Sequence, residues 1–363
     1  MVNLLPLNIV PGEAVLPGDW SISPVITALE AIDHNLNVFG FPEIWKQTRG
    51  AGVRVLITDT GVDREHLNLQ HVKSAVDFTG SPYGSQDLVG HGTWCTGIVG
   101  ARGRVEGIAS ECEEHHAKVL NDKGTGSVLS LVKGIQYGID IDADIISASW
   151  GGMGLSQYLI PIITEFLNGR PGRFFVCSAG NNGQVGSETM TEPAVYDNVL
   201  SVGACDWHGN LAPFSSVGKN LDIVMPGVDI ISTVPENRGR YGKMSGTSMA
   251  APIMAGLIAL ILSKHKQQGG ATPVLTLQHL LEHLSRTSID KGEAGRDDLY
   301  GFGVVDPARL FEDTIIEHPK PPVQDPPIKG KKLFSAKLFD SYYTVITSEV
   351  EPKNDGVIQL NGN

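Results

Sequence analysis

Residues 55–61 read Val55-Leu56-Ile57-Thr58-Asp59-Thr60-Gly61, an apolar run that ends in an acid and then a turn-forming glycine. An uninterrupted run of this kind suits a strand covered on both faces. Asp59 then stands at the strand's carboxyl end, where open α/β sheets place their sites. The run spans 53–58, and further strand candidates follow at 144–148, 174–178, 199–204 and 221–225. Helix-like segments separate them, at 92–101, 127–137, 156–167, 247–266 and 275–285. This alternation predicts an α/β fold around a largely parallel sheet, with right-handed crossovers.

The bulk composition narrows the function. With 363 residues, 41% hydrophobic and 19% charged, the chain can bury one large core, or one core plus a small appendage. Forty acidic against 28 basic residues leave a formal charge of -12, which repels phosphate backbones and anionic lipid. No nucleic acid and no membrane surface is therefore expected as a partner. The longest apolar candidate for a span, near 255–262, is interrupted by Gly256 and followed by Lys264, His265 and Lys266. Cys95, Cys112, Cys177 and Cys205 have neither metal-ligand spacing nor the density of a disulfide scaffold, so they read as free thiols in a reducing compartment. The first residues, Met1-Val2-Asn3-Leu4-Leu5-Pro6, carry no basic region and no cleavage site of a secretory signal. A cytoplasmic location is the expectation. Pro319, Pro321, Pro322, Pro326 and Pro327 mark an extended linker, and the 34 residues from 330 onward hold only two short β-like stretches, at 342–350 and 357–360.

Three further segments carry chemistry. Gly90-His91-Gly92-Thr93 surrounds one histidine with small residues before an apolar helix, so a substrate backbone can approach the imidazole. Ser245-Gly246-Thr247-Ser248-Met249-Ala250-Ala251-Pro252 sets Ser248 at the start of a long apolar helix, whose free N–H groups and dipole favour a developing negative charge. Phe174-Phe175-Val176-Cys177-Ser178-Ala179-Gly180-Asn181 ends a buried strand in an amide that can donate two hydrogens without carrying charge. Each has a plainer reading when taken alone. Asp59 could cap a turn, His91 could be a satisfied surface group, Ser248 an ordinary N-cap and Asn181 an Asx turn.

Taken together and in this order, the four segments resemble those of the subtilisin family of serine peptidases, over roughly residues 38–312. The resemblance implies a three-layer sandwich with a largely parallel central sheet and flanking helices. It implies a serine endopeptidase in which Ser248 is nucleophile, His91 general base and acid, Asp59 the orienting acid and Asn181 the oxyanion donor. Extended polypeptides are the implied substrates, bound as an added strand between Gly124-Thr125-Gly126 and Ser149-Trp150-Gly151-Gly152. Ala179, Gly180, Asn182 and Thr191 would line the primary pocket, with no acid to select Lys or Arg. Val128 and Leu131, with Trp150, would wall the pocket three residues further along the peptide. Catalysis needs no cofactor. A structural calcium or sodium ion would use the carbonyls of Ala194, Tyr196 and Val199 near Asp222. A homodimer is left open.

The chain also departs from the family pattern. Residues 1–37 show neither the signal nor the folding pro-domain of secreted members, and this short leader resembles that of the intracellular branch, in which an apolar-proline motif lies across the active site. Leu4-Leu5-Pro6-Leu7 is the expected plug. The expected organisation is a 1–37 extension, a 38–312 catalytic domain, a 313–329 linker and a 330–363 β-rich tail. The loop 101–106 carries Arg102 and Arg104 where the family commonly has a calcium-binding insertion. Trp94 stands where many members have a second histidine. Beside it, Cys95 suggests thiol-reagent sensitivity, as does Cys177. The rival functions are a silent peptide-binding protein of the same fold, a nucleotide-binding α/β protein lacking any phosphate-loop motif, and the acid-active class that uses Glu where this chain has His91.

Overall fold

The computed structural model describes residues 12–16, 41–183, 186–267 and 276–312, with the backbone of 23–24, 333–338 and 341–346. The chain divides into two compact units, Met1–Ile316 and Glu317–Asn363.

Nine strands form the central sheet of the first unit. In spatial order they are Ser288–Ile289, Val304–Val305, Ile223–Pro226, Leu200–Cys205, Phe174–Ser178, Ile145–Ala148, Arg54–Asp59, Glu113–Lys118 and Ser74–Asp77. Every neighbouring pair is parallel except Ser288–Ile289 with Val304–Val305. Side chains alternate across this sheet, as a pleated strand requires. Val55, Ile57, Val176 and Val202 join a core with the helices His91–Gly100 and Thr247–Gln267. Leu56, Ile146, Phe175 and Cys177 join a second core with Val128–Asp140 and Ser156–Asn168 on the opposite face. The result is the expected helix, sheet, helix sandwich. Thr247–Gln267 is long and apolar enough to cross a membrane, yet nearly all of it is buried inside the protein. It is a core helix, and no other helix among the described residues passes the same test.

The five sequence-predicted strands and five helices are all present, with ends shifted by up to three residues. Glu113–Lys118 was not predicted, because Glu-Glu-His-His-Ala-Lys has no apolar run. Glu114, His116 and Lys118 are nonetheless buried, between the strands Arg54–Asp59 and Ser74–Asp77. Burying such groups is costly without partners, and each has at least one, although the Oε1 of Glu114 has none. Glu114 meets His71 at 3.1 Å, His116 uses both ring nitrogens, and Lys118 donates to the Thr60 and Gln86 carbonyls. Burial holds the Glu114 carboxyl above the ordinary range despite His71.

In the second unit, Leu333–Leu338 and Ser341–Ile346 pair as an antiparallel hairpin, running from Leu333 opposite Ile346 to Leu338 opposite Ser341. One of these strands falls in the stretch expected at 342–350. The stretch at 357–360 lies outside the described residues.

Candidate active site

Asp59 is the last residue of its strand, and His91 is the first of a ten-residue helix. Both are buried, and His91 Nδ1 lies 2.9 and 3.0 Å from the two carboxylate oxygens of Asp59. Burial alone would raise the Asp59 carboxyl. The facing His91 and the Thr60 N–H overcome it and hold the group below the usual carboxylate range. An ionised carboxylate only accepts, so Nδ1 carries the ring hydrogen and Nε2 is the basic atom.

Asp87, not singled out from sequence, fixes the segment that presents His91. One of its oxygens accepts from Thr60 Oγ1 and from the N–H groups of Val89 and Gly90, and the other from Thr93 N and Oγ1. Thr60 Oγ1 in turn accepts from Gly92 N at 2.9 Å. The signal was an acid four residues ahead of His91, at the start of a helix.

Ser248 is the second residue of the Thr247–Gln267 helix and only 2% exposed. Its hydroxyl donates to the Ser149 carbonyl at 3.2 Å, and its own carbonyl accepts from Ser149 Oγ at 3.0 Å. The Cys95 thiol lies 3.8 Å from His91 Nδ1 and 3.6 Å from the Ser248 carbonyl, so Ser248 shares one small volume with the Asp59 and His91 pair. Asn181 follows the Phe174–Ser178 strand and turns its carbonyl oxygen to Thr247, whose N–H and hydroxyl both donate at 2.9 Å. These two donors fix the orientation of the amide. Thr247 Oγ1 also accepts from Gly180 N at 3.2 Å.

Two glycine-bearing strands face the same region, with an extended chain between them. Glu13–Val15 pairs antiparallel with Thr125–Ser127 on one side and with Gly151–Gly152 on the other. Ala14 stands opposite Gly126 and Gly152, and Val15 opposite Thr125 and Gly151. Leu16 N continues the ladder to the Gly124 carbonyl at 3.4 Å. Ala14 and Leu16 are buried in one apolar cluster with Leu131 and Trp150, and Val128 packs against it. The Trp150 ring points into the core and donates from Nε1 to Thr58 Oγ1 at 3.1 Å. Ser23–Pro24 pairs with Tyr241–Met244, the strand that leads to Ser248. Leu4 to Leu7, the expected plug, lie outside the described residues; the segment seen in the slot is 12–16.

At the expected primary pocket, a Cβ on Gly151 would meet Thr191 Oγ1 at 2.3 Å, so this glycine is what lets the Thr191 hydroxyl approach the strand. Ala179 is buried, and its carbonyl accepts from Thr191 N at 3.3 Å. Asn182 is half-buried and donates from its N–H to Ser216 Oγ at 3.0 Å.

Ala194, Tyr196 and Val199 are buried ahead of the Leu200–Cys205 strand, and Asp222 lies close by. Their donor set suits a tightly held divalent cation poorly. One Asp222 oxygen is taken by Ser201 N and Oγ at 2.9 and 3.0 Å, and the other faces the Arg296 guanidinium at 4.0 Å. Arg296 also donates to the Lys219 and Leu221 carbonyls, supplying positive charge where a metal would. Burial pushes the Asp222 carboxyl up to about 6. Cys95 and Cys177 are fully buried and their thiols are held well above the ordinary range, chiefly by burial, which leaves little reactive thiolate.

Comparison with known proteins identifies the family. Residues 50–303 match the model of a family described as the subtilase family. Subtilisin DY of Bacillus licheniformis is 38% identical over 261 residues, covering 71% of this chain and 90% of its own. An intracellular serine protease of Paenibacillus polymyxa is 34% identical over 295 residues, covering 77% and 89%. The major intracellular serine protease of Bacillus subtilis is 34% identical over 267 residues, covering 69% and 82%.

Proposed function

Since the chain belongs to the subtilase family of serine proteases, we propose that it hydrolyses peptide bonds with Ser248 as nucleophile, His91 as proton carrier, Asp59 as its orienting partner and Asn181 as oxyanion donor. The observation that carries this reading is the buried Asp59–His91 pair beside a serine at a helix N-terminus.

A free serine hydroxyl is a weak nucleophile. Ser248 redirects its hydrogen from the Ser149 carbonyl to His91 Nε2 as Oγ bonds to the substrate carbonyl carbon. The carbonyl oxygen takes the electron pair and is met by the Asn181 NH₂ and N–H groups of the first helix turn. His91 then returns the proton to the departing amine as the C–N bond breaks. Water repeats both steps on the acyl-enzyme. Asp59 keeps Nδ1 protonated and faces the imidazolium throughout.

Polypeptide substrates would bind as the middle strand between Thr125–Ser127 and Gly151–Gly152, where main-chain bonds give affinity and side-chain pockets give preference. The pairing of Glu13–Val15 in that slot supports this reading, since it is an extended chain with small or apolar side chains sent toward Leu131 and Trp150. It also supports autoinhibition by the N-terminal extension through residues 13–15, whereas residues 4–7, the expected plug, lie outside the described residues. The docked stretch is followed in sequence by Pro17, whose fixed φ and missing N–H make it a poor residue to present for cleavage. A cytoplasmic site of action agrees with four free, buried cysteines and with relatives named as intracellular.

A fluorophosphonate probe should label the protein at Ser248, and Ser248→Ala should abolish labelling while keeping the parent melting temperature. Equal labelling of that variant sinks the assignment. An unlabelled, folded parent that still holds peptides would identify a silent binding protein.

A further inference from the structure

His116 lies near the centre of the Glu113–Lys118 strand, which is polar throughout except for Ala117, yet the ring is fully buried. Its surroundings settle its protonation without reference to solvent. Thr96 Oγ1 gives its hydrogen to the Gly92 carbonyl at 2.8 Å, so toward His116 Nδ1, 3.1 Å away, it can only accept. His116 Nδ1 therefore carries the hydrogen. Nε2 faces the Gly61 N–H at 3.2 Å and must accept it. Both nitrogens are satisfied by one neutral tautomer, and a second ring proton would point directly at the Gly61 N–H. Burial pushes the ring down to about 3, against the pull of the Asp59 charge and with the help of Lys118.

The two partners of this ring belong to the two segments that bear the acid and the base. Gly61 is two residues beyond Asp59, and Gly92 and Thr96 lie on the helix that begins with His91. The approach is close: a Cβ on Gly92 would sit 2.2 Å from the Gly61 oxygen and 3.1 Å from His116 Cε1. We propose that His116 is a positioning residue for the peptidase reaction, clamping the turn after Asp59 against the first turn of the His91 helix. The inference rests on the proposed peptidase reading and adds a residue that touches neither substrate nor the reacting atoms. Because the ring is neutral, it adds no charge beside Asp59, whose carboxylate faces His91 and the Thr60 N–H.

The test compares the full chain with His116→Ala and His116→Gln, whose amide oxygen can accept from Gly61 N–H. Hydrolysis of a peptide amide should show kcat falling about ten-fold or more in His116→Ala with KM nearly unchanged, since small displacements of reacting groups are costly. The acid limb of its kcat/KM profile should move to lower pH, because a loosened carboxylate stabilises the imidazolium less. His116→Gln should recover much of kcat. A His116→Ala protein that melts lower but keeps the parental kcat and acid limb makes the residue a core filler only, and overturns the proposal. If that variant does not fold, nitrogen-15 spectra of the histidines in the parent decide. His116 must remain a single neutral Nδ1–H tautomer from about pH 8 to about pH 5, and an Nε2–H tautomer or titration in that range overturns the clamp. Failure of the parent itself to hydrolyse peptides or take the fluorophosphonate would instead remove the peptidase reading, while the tautomer would still report on the clamp.

Discussion

Both carboxylate oxygens of Asp59 face a single ring nitrogen of His91, at 2.9 and 3.0 Å, in a place closed to solvent. Asp59→Asn keeps the shape but offers an N–H where the acceptor was. The ring then favours the tautomer with hydrogen on Nε2, which cannot receive the Ser248 proton. kcat should fall by about 10⁴-fold with KM little changed. Steady-state kinetics on a peptide amide check this, and a kcat near the parental value removes Asp59 from the mechanism.

Thr247 holds the oxygen of the Asn181 amide, through its N–H and its hydroxyl. Asn181→Asp keeps that acceptor, and so the local fold, while removing both hydrogens and adding a charge that repels an oxyanion. The expected loss is at least about 10²- to 10³-fold in kcat, with KM preserved. A loss confined to KM would mean that the side chain binds ground-state substrate instead.

Much of this arrangement was legible in the chain. Apolar strands such as Phe174–Ser178 announce themselves because both their faces are covered, and each of the four motif residues stands at or just beyond a strand end or in the first turn of a helix. Glu113–Lys118 was illegible for the converse reason: its burial is offset by partners from distant segments, His71, Thr96 and Thr60 among them, and no local period encodes those. The N-terminal segment shows the same limit. Two apolar-proline stretches, Leu5-Pro6 and Leu16-Pro17, read alike in sequence, and only the ladder to Gly126 and Gly152 distinguishes the docked neighbourhood of the second.

Ala14 is fully buried between those two strands, so a long charged side chain cannot be accommodated there. Ala14→Arg should release residues 12–16 and raise hydrolysis of an added peptide by the full chain, mainly through a lower apparent KM. Addition of a free peptide spanning residues 10–24 should restore inhibition competitively. Unchanged kinetics in Ala14→Arg would show that the segment does not compete with substrate.

The thiol of Cys95 touches both His91 and Ser248, yet it is sealed from solvent. Iodoacetamide acts on exposed thiolate, so the folded protein should keep its activity and an unmodified Cys95 over a treatment that alkylates all four cysteines of the unfolded chain. Mass spectrometry of the peptide containing Cys95 gives the answer. Rapid modification with parallel loss of activity would show that the site opens to solvent far more than this packing allows.

Asp222 supplies a test of the cation question through pH. Its carboxyl is raised to about 6, from an ordinary 3.8 in the unfolded chain, chiefly by burial. Between these values the folded state binds the extra proton, so stability falls as pH rises from about 4 to about 6, and the penalty is complete above that. For this nearly buried side chain the full penalty amounts to roughly 3 kcal/mol at most. Asp222→Asn keeps an acceptor for Ser201 and removes the charge, so it should raise the melting temperature at about pH 8 and leave it unchanged near pH 4. With the Arg296 guanidinium already beside this carboxylate, calcium and chelator should give the parent the same melting temperature. A parent that melts higher in calcium, with the gain lost in Asp222→Asn, would show that the loop holds a metal and that Arg296 yields its place to it.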